Sequence, residues 1–192
     1  MFNARTINNI VTKEEAKAII EFGESIEPWQ SGGTDGYWAN RCLNGITIYE
    51  EYNKEIGKLM YDIRARAWKA IQEAYGLEKV YPDLFQIVRW YPGTDQTPHC
   101  DDMTNIELNE EIAEAFGHRE FGSVIYLNDN YTGGHTFYPD HNIEIVPRVG
   151  TLAVHPADPT HMHGVTKVEG GMRYTLASFW TQREDKFDGW VI

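Results

Sequence analysis

The sequence predicts an α+β, mainly β fold: a double-stranded β-helix, or jelly roll, with N-terminal helices packed on one sheet. Three observations predict it. Helical patterns occupy the first part of the chain, short strand-like runs succeed one another from Leu84 onward, and turn residues stand between those runs. The 192 residues suffice for one domain with a sizeable core and are too few for two ordinary ones. A single domain over 1–192 is therefore expected, helical over about 1–80 and jelly roll over about 84–182.

The first helix begins at Thr12-Lys13-Glu14-Glu15, which fits a capping box with Thr12 as N-cap and Glu15 reaching back. Ala16, Ile19 and Ile20 fall on one face, and Gly23 reads as the stop. A second helix is predicted from about Glu50 to Tyr75. Tyr52, Ile56, Leu59, Ile63, Ala67, Ala70 and Ala74 recur every three or four residues, one buried stripe, and Gly76 ends it. The predicted strands are Leu84–Tyr91, Gly122–Leu127, Thr136–Tyr138, Ile143–Val146, Thr151–His155, His163–Val168 and Arg173–Thr181. Pro92-Gly93, Asn128-Asp129-Asn130, Gly133-Gly134, Pro147, Gly150 and Gly170-Gly171 separate them. Glu107–Phe116 is acidic and helix-prone, and reads either as a lid or as an ordinary surface helix.

Composition excludes several classes. Apolar residues at 42% and charged residues at 24%, with six Trp, eleven Tyr and eight Phe, oppose disorder. A net charge of −12 argues against a nucleic-acid partner, whose phosphates need Lys and Arg. Cys42 and Cys100 are too few for a disulfide framework, no long apolar h-region opens the chain, and no run would span a bilayer. The expectation is a soluble, cytoplasmic protein with no membrane association.

His99-Cys100-Asp101 carries the first chemistry. On an extended chain residues i and i+2 share a face, so an imidazole and a carboxylate meet one metal while Cys100 points away. Alone the pair is weak, since seven His and eleven Asp supply about 0.4 such pairs by chance. A distant third ligand sharpens it, because two His and one carboxylate leave three positions open, the arrangement of non-haem iron oxygenases. His163 is preferred over His161 for the residues downstream of it, and Asp101 over Asp102 for its face. Beyond Gly170-Gly171 stands Arg173, a guanidinium suited to a carboxylate. Two adjacent antiparallel strands joined there would set Arg173 deeper in the barrel than His163, at the far end of a metal-chelated diacid. In the apolar strand running to Trp180, a buried Arg needs an anion. His118, His135, His141 and His155 read as structural or surface residues.

From Phe85 to Trp180 the chain resembles the 2-oxoglutarate/iron(II) dioxygenase superfamily, and within it the prolyl 4-hydroxylase type. Tyr91-Pro92-Gly93, His99-Cys100-Asp101, Ser123 to Asn128, Gly133-Gly134-His135-Thr136, His163-Gly164-Val165 and Gly171-Met172-Arg173-Tyr174 occur in that family's order. The resemblance implies iron(II) on His99, Asp101 and His163, with 2-oxoglutarate as cosubstrate. Arg173 and Tyr126 would hold its distal carboxylate, and Tyr91 would contact it from a neighbouring strand. It further implies hydroxylation of an unactivated carbon, on a prolyl residue of a peptide or protein, with succinate and carbon dioxide as coproducts. Ascorbate is implied as a helper, and Trp38 and Arg41 as substrate-side residues. The pattern departs at His135, where an acidic residue is commoner, and at Thr151 to His155, where an aromatic often stands. Other readings stay open: a hydroxylase of a free amino acid or other small molecule, and a cupin-like metal-binding module without catalysis. Arg173 speaks against the module, which needs no diacid anchor. A demethylase of the AlkB type is opposed by the acidic charge and by Phe179, where that group carries a second Arg.

Overall fold

A computed structural model describes residues 2–27, 29, 36–103 and 115–192. Its strands, in chain order, are β1 (Arg5–Ile7), β2 (Cys42–Asn44), β3 (Tyr81–Trp90), β4 (Gln96–His99), β5 (Phe121–Tyr126), β6 (Thr132–Gly133), β7 (Thr136–Tyr138), β8 (Ile143–Ile145), β9 (Leu152–Pro156), β10 (His163–Val165), β11 (Val168–Gly170) and β12 (Arg173–Thr181). The helices are α1 (Lys13–Ser25), the short α2 (Gly45–Thr47) and α3 (Lys54–Tyr75). A major sheet runs β1-β9-β5-β12-β3-β2, a minor sheet β4-β10-β7-β8, and β11 pairs with β6. All pairings are antiparallel. The expected mainly β jelly roll is what the chain adopts.

Helix α1 starts as the sequence predicts. Thr12 Oγ1 accepts from the Glu15 N–H at 3.1 Å, and Glu15 Oε2 accepts from the Thr12 N–H at 2.8 Å. Gly23 does not stop it; the helix continues to Ser25. Gly23 instead lets the Trp29 indole approach, since a Cβ there would stand 2.7 Å from the ring, and Trp29 Nε1–H donates to the Gly23 carbonyl. The long helix begins at Lys54, not Glu50. Asn53 caps it by accepting from two backbone N–H groups, while Ile48–Tyr52 form a π-helical turn and Tyr52 is exposed. The buried stripe is centred on Met60, Ile63, Arg64, Ala67 and Ile71, rotated from the predicted one. Buried Arg64 belongs there because Asp188, 2.7 Å away, and the Trp190 carbonyl take its charge and donors, tying down the C-terminal tail.

Both long helices cover the outer face of the major sheet, where Phe85, Ile87, Ile125, Leu152, Val154, Leu176 and Trp180 join Ile19, Met60, Ile63 and Ile71 in one core. The inner face lines a cavity of about 970 Å³ between the sheets, with Leu84, Gln86, Val88 and Trp90 of β3 and Arg173, Thr175, Ala177 and Phe179 of β12 alternating into it. Four strands lack a predicted counterpart: β1, β2, β4 and β6. All are two to four residues long, and β4 is an edge strand interrupted by Pro98. The predicted strand His163–Val168 is two, β10 and β11, which enter different sheets. Arg173 and His163 therefore do not lie on neighbouring strands as expected. β12 is central in the major sheet and β10 in the minor one, so the two residues line the cavity from opposite sides. The segment Glu107–Phe116, read as lid or surface helix, lies outside the described residues apart from Ala115 and Phe116. Among the described residues, no helix is long and apolar enough to cross a membrane.

Candidate metal centre

His99 ends β4 and His163 opens β10, and the register pairs them directly. Their ring centroids lie 4.5 Å apart. Asp101 comes in the turn after β4, with Oδ1 at 3.7 Å from His99 Nε2 and 3.6 Å from His163 Nε2. One ligand atom from each of the three falls within 4.8 Å of the others. Cys100, fully buried, turns away and donates its thiol to Asp102, as the alternation requires. His161, the alternative third residue, faces elsewhere, accepting from the Asn3 N–H and pairing with Asp158.

The local bonds leave this site ready for a cation. His163 Nδ1–H donates to the His161 carbonyl at 3.1 Å, and His99 Nδ1–H to the Thr97 carbonyl at 3.0 Å. Nε2 is then the lone-pair nitrogen of each ring; that of His99 accepts from the Gln96 amide at 3.2 Å, a bond a cation would displace. Burial pushes His163 down to about 3, so it is neutral at pH 7 and free to ligate. Burial works to raise the Asp101 pKa, yet His163, a hydrogen bond from His155 and the His99 ring hold it well below the usual carboxylate range. Among the described residues this carboxylate, 7% exposed, has imidazoles and no Lys or Arg nitrogen within 4.0 Å, so its charge is left largely uncompensated. Two nitrogens and one oxygen suit iron(II) and also manganese, nickel or zinc.

A second feature faces the same cavity. Arg173 is 1% exposed, and its Nε and Nη2 have no hydrogen-bond partner among the described residues. Its guanidinium lies 5.0 Å from the Trp90 ring, its cross-strand neighbour, and 5.5 Å from that of Tyr126. Tyr126, fully buried, bonds Thr136 Oγ1 through its hydroxyl at 2.8 Å. Tyr131, which no pattern in the sequence singles out, brings a third group. Among the described residues its buried hydroxyl likewise has no partner within 3.5 Å, though Arg173 lies close enough to pull its pKa down against the rise that burial causes. Gly134, at φ +64, makes the approach possible, because a Cβ there would stand 3.0 Å from both Arg173 Cδ and the Tyr131 ring. Unpaired buried donors of this kind fit an anion.

Tyr91 is not brought to the cavity. The alternation that turns Trp90 inward turns Tyr91 outward, where the Asn40 amide donates to its hydroxyl at 3.3 Å and Arg89 lies over its ring. Trp38 lines the cavity, but Arg41 stands behind it. The Arg41 guanidinium sits 4.5, 4.8 and 4.2 Å from the Tyr37, Trp38 and Trp90 rings and donates to the Arg89 and Tyr37 carbonyls. It supports that aromatic wall and does not form it. Phe179 faces the cavity as well, with the Arg119 guanidinium 3.5 Å above its ring and bonded to Asp83.

The profile of the 2OG-Fe(II) oxygenase superfamily matches residues 85–181. A mimivirus protein (Acanthamoeba polyphaga mimivirus) named "Putative prolyl 4-hydroxylase" is 24% identical over 94% of this chain and 74% of its own. Rat prolyl 3-hydroxylase 2 is 21% identical over 91% of this chain, which spans 29% of that larger protein. Among solved structures, the viral collagen prolyl hydroxylase of Paramecium bursaria Chlorella virus-1, in its 2OG complex, has a TM-score of 0.68 at 15% identity. That match covers 95% of this chain and 97% of the other. A Pseudomonas putida prolyl-4-hydroxylase has a TM-score of 0.61 at 14% identity, covering 95% and 94%. The profile spans half the chain and holds within it His99, Asp101, His163 and Arg173. By that match this chain belongs to the 2OG-Fe(II) oxygenase superfamily.

Proposed function

We propose that the chain is an iron(II)- and 2-oxoglutarate-dependent hydroxylase of prolyl residues in a peptide or protein, with residues 1–192 acting as one catalytic domain. The observation that carries the cosubstrate is Arg173. A buried guanidinium with two unpartnered donors shares a cavity with the His99–Asp101–His163 cluster, which suits a diacid held at both ends. The names of the relatives support the prolyl substrate.

When bound, iron(II) with 2-oxoglutarate supplies oxidation of an unactivated C–H bond, with succinate and carbon dioxide as coproducts. The chain supplies placement. His99, Asp101 and His163 hold the cation and leave one side of it to the cavity. Arg173, with the Tyr126 and Tyr131 hydroxyls, orients the distal carboxylate. Trp38, Phe116 and Phe179 form apolar wall that excludes water from the reacting carbon. Ascorbate serves as reductant on the family's pattern alone.

Incubation with iron(II), 2-oxoglutarate, ascorbate and proline-rich peptides, then mass spectrometry, is expected to show a gain of one oxygen on proline. Succinate formation without oxygen gain on any peptide would refute the prolyl substrate. Retained succinate formation in His99→Ala or His163→Ala would refute the ligand set.

A further inference from the structure

His155 reads from the sequence as structural or surface, and the structure puts it at the metal centre. It stands on β9, beside β5, and is 2% exposed. Its Nε2 lies 3.1 Å from Asp101 Oδ2, and its Nδ1 lies 2.8 Å from the Tyr138 hydroxyl. Its ring is centred 4.0 Å from that of His163. Asp101 thus divides its two oxygens: Oδ1 faces His99 and His163, while Oδ2 turns to His155.

The proton positions come from the donor inventory. An ionised carboxylate only accepts, so His155 must donate from Nε2. Its Nδ1 then carries a lone pair and accepts from the Tyr138 hydroxyl. The order is Tyr138 O–H to Nδ1, and Nε2–H to Asp101 Oδ2. Gly122 leaves room for it, since a Cβ there would stand 1.6 Å from Oδ2 and 2.9 Å from Nε2.

We infer that His155, with its tautomer fixed by Tyr138, is a positioning residue that holds Asp101 Oδ2 so that only Oδ1 is offered to the cation. Carboxylates bind cations through one oxygen or two. Engaging Oδ2 elsewhere prevents the second mode and keeps that position for the cosubstrate side of the site. Hydrogen bonds to a ligating group of this kind tune metal affinity by about 10- to 100-fold. The inference rests on the metal reading under Proposed function.

The test is anaerobic titration of the metal-free chain with iron(II) by calorimetry, with cobalt(II) visible spectra as a second readout. Four proteins are compared: wild type, His155→Phe, His155→Gln and Tyr138→Phe. His155→Phe keeps a ring of similar size and removes both nitrogens. It is expected to weaken iron(II) binding about 10- to 100-fold and to alter the cobalt(II) spectrum. Tyr138→Phe is expected to lose about 3- to 10-fold, and His155→Gln, whose amide restores a donor near Nε2, to stay within about threefold of wild type. Should His155→Phe fail to fold by circular dichroism, Tyr138→Phe and His155→Gln decide on the same constants. Tight wild-type binding left unchanged in His155→Phe and Tyr138→Phe overturns this inference alone. So does a folded His155→Gln as weak as His155→Phe, which would make the effect one of packing. A wild-type chain that holds no iron(II) overturns the metal reading and this inference together.

Discussion

Gly122→Ala probes the metal centre with one methyl group. The added Cβ would stand 1.6 Å from Asp101 Oδ2 and 2.7 Å from its Cγ. Carbon and oxygen atoms pack at roughly 3.5 Å, so the carboxylate must retreat by about 2 Å. That distance matches a whole metal–oxygen bond, about 2.0–2.2 Å. Backbone strain contributes nothing, because Gly122 is not among the glycines at positive φ. The retreat takes Oδ1 out of the set shared with His99 and His163, so iron(II) affinity should fall at least about 100-fold, or about 2.8 kcal/mol. Overpacking itself costs about 1–3 kcal/mol of stability, a loss of several degrees in Tm for a chain of this size. Anaerobic iron(II) titration beside a thermal melt of the metal-free protein separates the two effects. A folded alanine variant that binds iron(II) within threefold of wild type would refute the geometry from which the displacement is worked.

Four further outcomes are expected. Arg173→Leu removes a buried charge two of whose nitrogens, Nε and Nη2, have no partner among the described residues. The unliganded protein should therefore melt no lower than wild type, while 2-oxoglutarate binding weakens by about 30-fold or more in competition titrations. Tyr131→Phe should likewise leave the unliganded melt unchanged and raise the 2-oxoglutarate Kd about 10-fold, the worth of a hydrogen bond to a charged group. Tyr91→Phe, on the outer face, should leave that Kd within twofold; a larger loss would return Tyr91 to the site. Thr12→Ala should cost about 1 kcal/mol in urea unfolding at pH 7. Burial opposes ionisation of Glu15, but bonds from Arg66 and Thr12 depress its carboxyl below 4.5 in the folded state. Its contribution is therefore full above that value and lost as pH falls through the folded pKa, so the gap between wild type and Thr12→Ala should narrow at pH 3.

What the sequence disclosed depended on whether a pattern had two distinguishable sides. The capping box at Thr12 is local chemistry, and His99-Cys100-Asp101 is a short i, i+2 arrangement, so both were legible. Strand β3 is different. Phe85 and Ile87 pack under the helices while Val88 and Trp90 meet the cavity, so apolar residues occur on both faces and alternation vanishes. That concealed the outward turn of Tyr91. The same holds for Leu152-Ala153-Val154, buried throughout, where nothing in sequence tells which face His155 takes. Tyr131 sits in a bend between strands, which has no periodicity to read, and its place beside Arg173 depends on the close approach of Gly134 and Gly171. In sequence, Phe179 reads as standing where demethylases carry a second arginine, but Arg119, brought across from just before β5, places a guanidinium 3.5 Å over its ring. That weakens the residue argument against a demethylase.

The site's two ends differ in how far they depend on the complete fold. His99, Asp101 and His163 come from the minor sheet and its adjoining turn, and the direct pairing of His99 with His163 could form from those strands alone. Asp101 is another matter, because the space for its Oδ2 is made by Gly122 and its hydrogen bond comes from His155, both on the major sheet. The carboxylate proposed as the cation's charged ligand is thus set by the sheet that does not carry it. Arg173 stands on that same major sheet, two residues before Thr175, which pairs with Tyr126 of β5. One sheet therefore fixes both the orientation of the carboxylate proposed to bind the metal and the position of the arginine proposed to anchor the diacid. Strand register on that sheet fixes the spacing of Gly122, His155 and Arg173, whereas His99, His163 and Asp101 move with the minor sheet and its adjoining turn, so a shift between the sheets would change the approach of all three to Arg173.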